Sequence, residues 1–535
     1  MRQFWALARM NSVMALYQMN LMQRRRRNGR TSHGFMVGLI VIGAILMAYM
    51  VFWAVVLSIA LNPDGVEWVI LPIGLIIVVF LTLGLSMLTL DSLLFDSTDT
   101  DTLFAYPVSK FTVVAGKLGG LLVQNWFIVA VLWLPFVGVY AYYAHPGPLF
   151  YLFSVLCLLI APGVPLFIMG TVSYIVNLIT SGSRFHRMYS VVLTLALVAA
   201  MGFSLTRVIP ALERNAGAGG DVFVLMQRVF PPIGFMVTAL VHESPLAMLA
   251  AIGWNLLPFV LISALISLSY AFIRSRVAMV RKPRRAGRVS FGDATQSQAL
   301  LRKELSRLVY SPIYLINSCL GPVILVVLVL LSGRLGGNLV SVEDQLASIG
   351  VPFARVMLIF FLFMLSITNT TSPSISLEGR GLWIIKSAPV GAKPVLRAKL
   401  VLQVLVVTPL VVVASFLMMT TMHIRLVGVV TVVVPSVLFI LVSACVGLVF
   451  NLHVYRLDFA NDMQAVRNNA SVLLTVGTMM AVVAVSTLGF VLVNHYHWMG
   501  FWAYWVVWVV IFAVATVVMY QYLMTTGVTL FEDLD

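Results

Sequence analysis

Long, unbroken apolar runs recur from one end of this chain to the other. Stretches such as 67–89, 428–453 and 501–522 are dominated by Leu, Val, Ile, Phe and Met, with almost no charge inside them. A helix needs roughly 20 such residues to cross the ~30 Å hydrocarbon core of a bilayer. The chain is 61% hydrophobic and 10% charged, against about half and about a quarter for soluble domains. No soluble fold hides that much apolar surface. Backbone polar groups in lipid must bond within their own segment, so the runs are read as helices. A β-barrel would show short alternating segments instead. The expected fold is therefore an all-α polytopic membrane protein with about twelve transmembrane helices.

The spans are placed at about 35–61, 67–89, 115–142, 149–179, 188–206 and 246–272, then 313–332, 351–369, 399–420, 428–453, 469–493 and 501–522. Of the 34 Lys and Arg residues, only Arg207, Arg214, Arg228, Arg334, Arg355 and Arg425 fall on the outer side when both termini are inside. The positive-inside rule accepts that orientation. The net charge of +15 then reads as topology and contact with anionic lipid, not as nucleic-acid binding. Localisation is expected in a membrane, multi-pass, with cytoplasmic termini.

The sequence offers little chemistry of its own. No GxxxxGK[ST] phosphate loop, HExxH or GxSxG string occurs, so neither an ATP site nor a zinc or serine hydrolase site is expected. Cys157, Cys319 and Cys445 form no CxxC pair and imply no disulfide framework. His495 and His497 sit among aromatics in a short external loop, as interfacial residues do. The acidic residues lie in loops or at span ends, with Glu67 and Asp91 nearest the membrane. An ion-coupled carrier usually holds a carboxylate inside the membrane, so that class is the alternative and not the leading reading. Pro162, Pro165 and Pro435, with Gly163 and Gly170, predict kinks in spans four and ten.

The organisation is bipartite. Residues 1–34 read as a cytoplasmic interfacial helix and 35–272 as a first six-helix domain. Residues 273–312 form a basic linker and a second interfacial helix, and 313–535 a second six-helix domain. In the second interfacial helix Leu301, Leu305 and Leu308 fall on one face, and Arg302, Lys303, Ser306 and Arg307 on the other. Pro312 ends it. Pro107-Val108, eight residues, then Lys117-Leu118 is repeated 282 residues later as Pro389-Val390, eight residues, then Lys399-Leu400. Each copy follows the second span of its half and leads into the third. Two such units, both beginning inside, predict parallel repeats about an axis along the membrane normal.

Both loops carry an apolar ridge before the Pro-Val bend. The first has Asp96, Ser97, Asp99 and Asp101 ahead of Leu103, Phe104 and Tyr106, stopped by Pro107. The second has Glu378, Gly379 and Arg380 ahead of Leu382, Trp383, Ile384 and Ile385, stopped by Pro389. A bare ridge of this kind is poorly solvated, and docking into a partner's groove would bury it.

The strings LFAYPVSK…GK and SISLEGRGLWIIKSAPVGAK…AK resemble the loops between the second and third spans of ABC-2 type transporter permeases, in particular the long twelve-span bacterial exporter permeases. LLRKELSRLVYSPIY resembles the basic helix before the first span there. Asn451-Leu452-His453 with Arg456, Leu457, Asp458, Phe459 and Asn461 resembles a loop after the tenth span. The first half departs from the pattern by carrying the acidic stretch 96–101 in place of Ser-Leu-Glu-Gly.

The resemblance implies a permease subunit that is not itself an enzyme. ABC ATP-binding subunits, two copies per chain, would bind ATP and Mg and grip the loops, and the chain itself would hold no cofactor and no metal. The coupling residues so implied are Asp99, Asp101, Leu103, Tyr106, Pro107, Glu378, Gly379, Arg380, Trp383 and Pro389. Arg184, Arg187, Arg456, Asp458 and Asp462 form a second contact. The cargo, on apolar and aromatic-rich spans, would be hydrophobic or amphipathic.

Overall fold

The computed structural model describes residues 43–55, 67–91, 109–180, 222–279, 295–332, 353–422, 424–457, 465–466, 469–496 and 499–534, with isolated positions between them. The architecture is that of a polytopic helical membrane protein. Among the described residues eight helices are long and apolar enough to cross a bilayer. They coincide with predicted spans three, four, six, seven and nine to twelve. Spans one, two and eight correspond to the shorter apolar helices Gly43–Val55, Ile70–Leu83 and Ala354–Ser366. Span five lies outside the described residues except for Leu193 and Ala196. The chain divides into two compact units, one built on Leu46–Gly287 and the other on Arg288–Asp535, with the described residues 43–45 belonging to the second.

The first unit contains α1 (Ile70–Asp91), α2 (Lys110–Ala144), α3 (Pro148–Ile160), α4 (Gly163–Thr180), α5 (Val222–Val229), α6 (Pro231–Val241) and α7 (Pro245–Met279). Leu83, Leu118, Leu166, Met169 and Ile262 form a core shared by α1, α2, α4 and α7. The helices approach closely because glycine faces bulk: a Cβ on Gly74 would lie 2.7 Å from the ring of Phe136. The polar crosslink between α1 and α2 is Asn125 Nδ2 donating to Ser86 Oγ at 3.1 Å. The predicted kink in span four is a break at Ala161 and Pro162, between α3 and α4. Proline removes a backbone donor there. The stretch before α7 is a tight hairpin of α5 and α6, turned at Phe230 before Pro231-Pro232.

The second unit contains α8 (Gln296–Tyr310), α9 (Pro312–Ser332), α10 (Phe353–Ser366), α11 (Leu382–Ser387), α12 (Ala392–Thr421), α13 (Leu426–His453), α14 (Ala470–His495), α15 (Phe501–Met524) and α16 (Thr526–Glu532). Thr295 starts α8 with a capping box to Gln298, which satisfies two otherwise unpaired backbone donors. α13 is central: α10, α12, α14 and α15 all pack on it. Despite Pro435 it runs unbroken from Leu426 to His453, so the predicted kink in span ten is not a break in the helix.

α12 starts at Ala392, two turns before the apolar run itself, and holds 30 residues. At 1.5 Å per residue it is ~45 Å long and must project beyond the hydrocarbon. α2 starts 282 residues earlier, so Lys117 and Lys399 are each the eighth residue of their helix. Both are buried, at 2% and 1% exposure. The sequence reading grouped them with the basic residues of the inner side, read as topology and contact with anionic lipid. The fold instead encloses both.

Candidate functional site

The chain leaves α10 at Ser366 and does not resume a regular helix until a 3-10 turn at Ser376–Gly381. Thr368, Asn369, Thr370, Thr371, Ser372 and Ser374 between them are all buried. A buried irregular backbone must find a partner for each polar group elsewhere. Side chains from four helices, α9, α12, α13 and α14, supply them. Gln403 Oε1 accepts from the backbone N–H groups of Thr370 and Thr371 at 3.2 and 3.3 Å and from both their hydroxyls. Asn451 Oδ1 accepts from the N–H groups of Ile375 and Ser376 at 2.7 and 3.3 Å. Asn317, Tyr314, Ser471 and Lys399 donate to the carbonyls of Asn369, Thr370, Ser372 and Ser374.

The fit is close enough to test with one methyl group. A Cβ on Gly447 of α13 would lie 2.5 Å from Thr371 Oγ1 and 3.1 Å from the N–H nitrogen of Ser372. Gly to Ala inside a helix ordinarily gains up to about 1 kcal/mol. Overpacking this contact costs about 1–3 kcal/mol, so Gly447→Ala is expected to lower stability. Denaturant unfolding in detergent checks it, and a stabilised variant would mean that Thr371 is free to move aside.

Below this stretch lies a buried charge cluster. Lys399 Nζ is 2.9 Å from Glu304 Oε1 and 2.9 Å from Glu378 Oε1, with its side chain fully enclosed. Lys303 reaches Glu378 Oε1 at 2.5 Å and Glu304 at 3.3 Å. Arg307 Nη1 lies 2.7 Å from Glu378 Oε2, and its Nη2 donates to the carbonyl of Leu377 at 2.6 Å. Three cations and two carboxylates thus join α8, the 3-10 turn and α12.

Burial by itself would raise the pKa of Glu378, but Lys399, Arg307 and Lys303 together hold it well below the usual carboxylate range. A carboxylate with a depressed folded-state pKa adds stability that is fully present above its unfolded value and is lost as pH falls through the folded value. The attachment of the turn should therefore be constant from pH 8 down to about pH 5 and weaken only below the ordinary glutamate range of ~4.3. Proteolysis at the turn as a function of pH reads this out, and Glu378→Gln should remove the acid-dependent step.

Gly379 turns the chain out of the 3-10 segment at φ 53°, ψ −137°. That backbone region is open to glycine and strained for other residues. α11 then presents two opposite faces. Leu382 and Ile385 are buried at 4% and 9%, in a core with Val395, Leu396, Leu448, Leu452 and Phe531. Burying a side chain of that size stabilises by about 1.5–3 kcal/mol. Trp383 and Ile384 point away, 67% and 58% exposed, and Pro389 is exposed beyond them. α16 braces α11 from the C-terminal end, where Lys386 Nζ donates to the carbonyls of Glu532, at 3.0 Å, and Leu534.

The sequence reading put Glu378 on the partner-facing ridge, and Lys303 and Arg307 on a polar outer face. All three instead point into the cluster, because Lys399 needs compensation for its burial. Gly379 shapes the turn, and Arg380 follows it. Trp383 and Pro389 remain on the surface. Arg456 joins the same region: its N–H donates to Ser376 Oγ at 3.3 Å and its guanidinium lies 5.0 Å from the ring centre of Phe459. Asp99, Asp101, Leu103, Tyr106, Pro107, Arg184, Arg187, Asp458 and Asp462 lie outside the described residues. Glu304, Gln403 and α16 were missed from the sequence. The available signal was a polar side chain in an apolar run, as Gln403 and Asn451 both are. Comparison of the chain with protein-family models, curated proteins and solved structures finds no match in any of the three.

Proposed function

We propose that this chain is the permease subunit of an ABC-2 type exporter. In this reading twelve spans form two pseudo-symmetric six-helix halves in a bacterial plasma membrane, with both termini cytoplasmic. Separate ATP-binding subunits dock on the loop around Trp383 and on its first-half counterpart around Tyr106 and Pro107. The cargo is hydrophobic or amphipathic.

The observation that carries the reading is α11, a short helix with a bare apolar face at Trp383 and Ile384 on a base fixed by the Glu304–Lys399–Glu378 cluster. An exposed aromatic on a rigid base suits docking, and the buried cluster would pass a push on that face directly to α8 and α12. The equal placement and burial of Lys117 and Lys399 supports a first-half loop built on the same plan. Nucleotide-dependent closure of the partners would then shift the halves between two states.

One observation favours the ion-coupled carrier. The broken stretch after α10 holds a buried amide, Asn369, whose side-chain atoms find no partner among the described residues, and interrupted helices line the binding sites of many carriers. The two readings separate in one experiment. The tagged full-length chain, purified from its own host, is expected to bring down an ATP-binding-cassette protein and to hydrolyse ATP in lipid. Gradient-driven uptake by the chain alone, without ATP, would overturn the exporter reading.

A further inference from the structure

At the opposite ends of these same helices lies a cationic cleft that the coupling scheme does not use. Arg355, near the start of α10, places its guanidinium carbon 3.9 Å from the ring centre of Phe501 and 5.2 Å from that of Phe490. Tyr504, Trp505 and Trp508, with Leu362, Ser486 and Phe512 among others, line the same space of about 50 Å³. The polar atoms of two of these rings are already committed: Tyr504 donates to the carbonyl of Ser486, and Trp505 Nε1 to that of Thr431 at 3.0 Å. Arg355 is not so satisfied. Its Nε is buried without a hydrogen-bond partner, and no carboxylate pairs with it among the described residues.

Thr431, at this end of α13, is 20 residues from Asn451, which holds the broken stretch. That separation is ~30 Å of helix, about one hydrocarbon thickness. The cleft therefore sits at the membrane boundary facing away from Trp383. Aromatic faces stacked on a guanidinium leave its in-plane N–H groups free, and these match phosphate or carboxylate oxygens. Beside the cleft, Trp502, Val506, Val510, Val514 and Val518 form an exposed apolar stripe along α15 at helical spacing.

We propose that Arg355 and its aromatic cage bind the anionic headgroup of a membrane lipid, with an acyl chain lying along the α15 stripe. A cation with no carboxylate partner among the described residues, in an otherwise apolar cleft, selects an anion, and the adjoining stripe selects one that carries a hydrocarbon tail. The site requires the membrane-spanning architecture but not ATP-driven export, so it stands or falls separately from that reading.

The test uses the full-length protein in phosphatidylcholine vesicles, with tryptophan fluorescence quenched by brominated lipids. Brominated phosphatidylglycerol is expected to quench more than brominated phosphatidylcholine at equal mole fraction. Unbrominated phosphatidylglycerol should reverse that quenching with a preference of about tenfold over phosphatidylcholine, the scale of one charge-assisted contact. Arg355→Gln should reduce the excess, and Arg355→Lys should retain part of it. Replacing Trp505 and Trp508 by Phe should remove that part of the signal. The wild-type competition needs no variant to fold. Equal quenching by the two lipids, an excess unchanged in Arg355→Gln, or reversal by inorganic phosphate alone would each overturn the proposal.

Discussion

Replacing Lys399 by Met is expected to destabilise the second unit by about 3–5 kcal/mol, the usual cost of removing one member of a buried ion pair. The side chain is fully enclosed and contacts Glu304 and Glu378 at 2.9 Å each, and it also donates to the carbonyl of Ser374 at 3.1 Å. Methionine has nearly the same volume, so the loss is electrostatic and not a cavity effect. Glu378 would keep Lys303 and Arg307, but Glu304 would keep only Lys303 at 3.3 Å and already has one buried oxygen without a hydrogen-bond partner. The uncompensated charge thus falls on Glu304. Adding Glu304→Gln to Lys399→Met should recover part of the loss, so the double variant costs less than the two single changes added together. Thermal and denaturant unfolding of the four proteins in detergent measures the cycle. A Lys399→Met protein within 1 kcal/mol of wild type would mean that the cluster does not hold the loop.

The spans were legible because each is a local, continuous apolar run, and eight of those runs recur as helices long enough to cross a membrane. The loop was legible only as a surface. The sequence reading set Leu382, Trp383, Ile384 and Ile385 together on one bare ridge, whereas in the fold Leu382 and Ile385 turn into the core and only Trp383 and Ile384 stay exposed. What joins the loop to the bundle was not legible, since its partners are far away in sequence: Glu304 is 95 residues from Lys399, and Asn451 is 76 from Ile375. A lysine at the inner end of a span looks the same whether it is solvated or enclosed. Topology rules explain its sign, and only the fold reveals its burial. The irregular stretch after Ser366 was hidden for the same reason. Its Thr, Asn and Ser residues have the composition of a solvated loop, and Gln403 and Asn451 show as acceptors only once α12 and α13 are packed beside it.

Trp383→Asp is expected to leave the fold intact and, if α11 docks the proposed ATP-binding partner, to weaken that complex by roughly 30-fold or more. The side chain is 67% exposed, and exposed substitutions ordinarily shift stability by no more than about 0.5 kcal/mol. An aromatic at the centre of a docking patch contributes about 2 kcal/mol or more to binding, which is the stated factor. The neighbour supplies the contrast. Leu382 is 4% exposed, so Leu382→Asp buries an unpaired charge and should damage the loop itself, lowering stability before any partner is involved. If α11 serves only to close this end of the bundle, both variants should act through stability, with Leu382→Asp the worse and Trp383→Asp nearly silent. If it docks a partner, Trp383→Asp should melt like wild type yet lose co-purifying ATPase and its stimulation in lipid. Melting curves beside pull-down yields separate the two cases, and full ATPase coupling in Trp383→Asp would remove α11 from the docking surface.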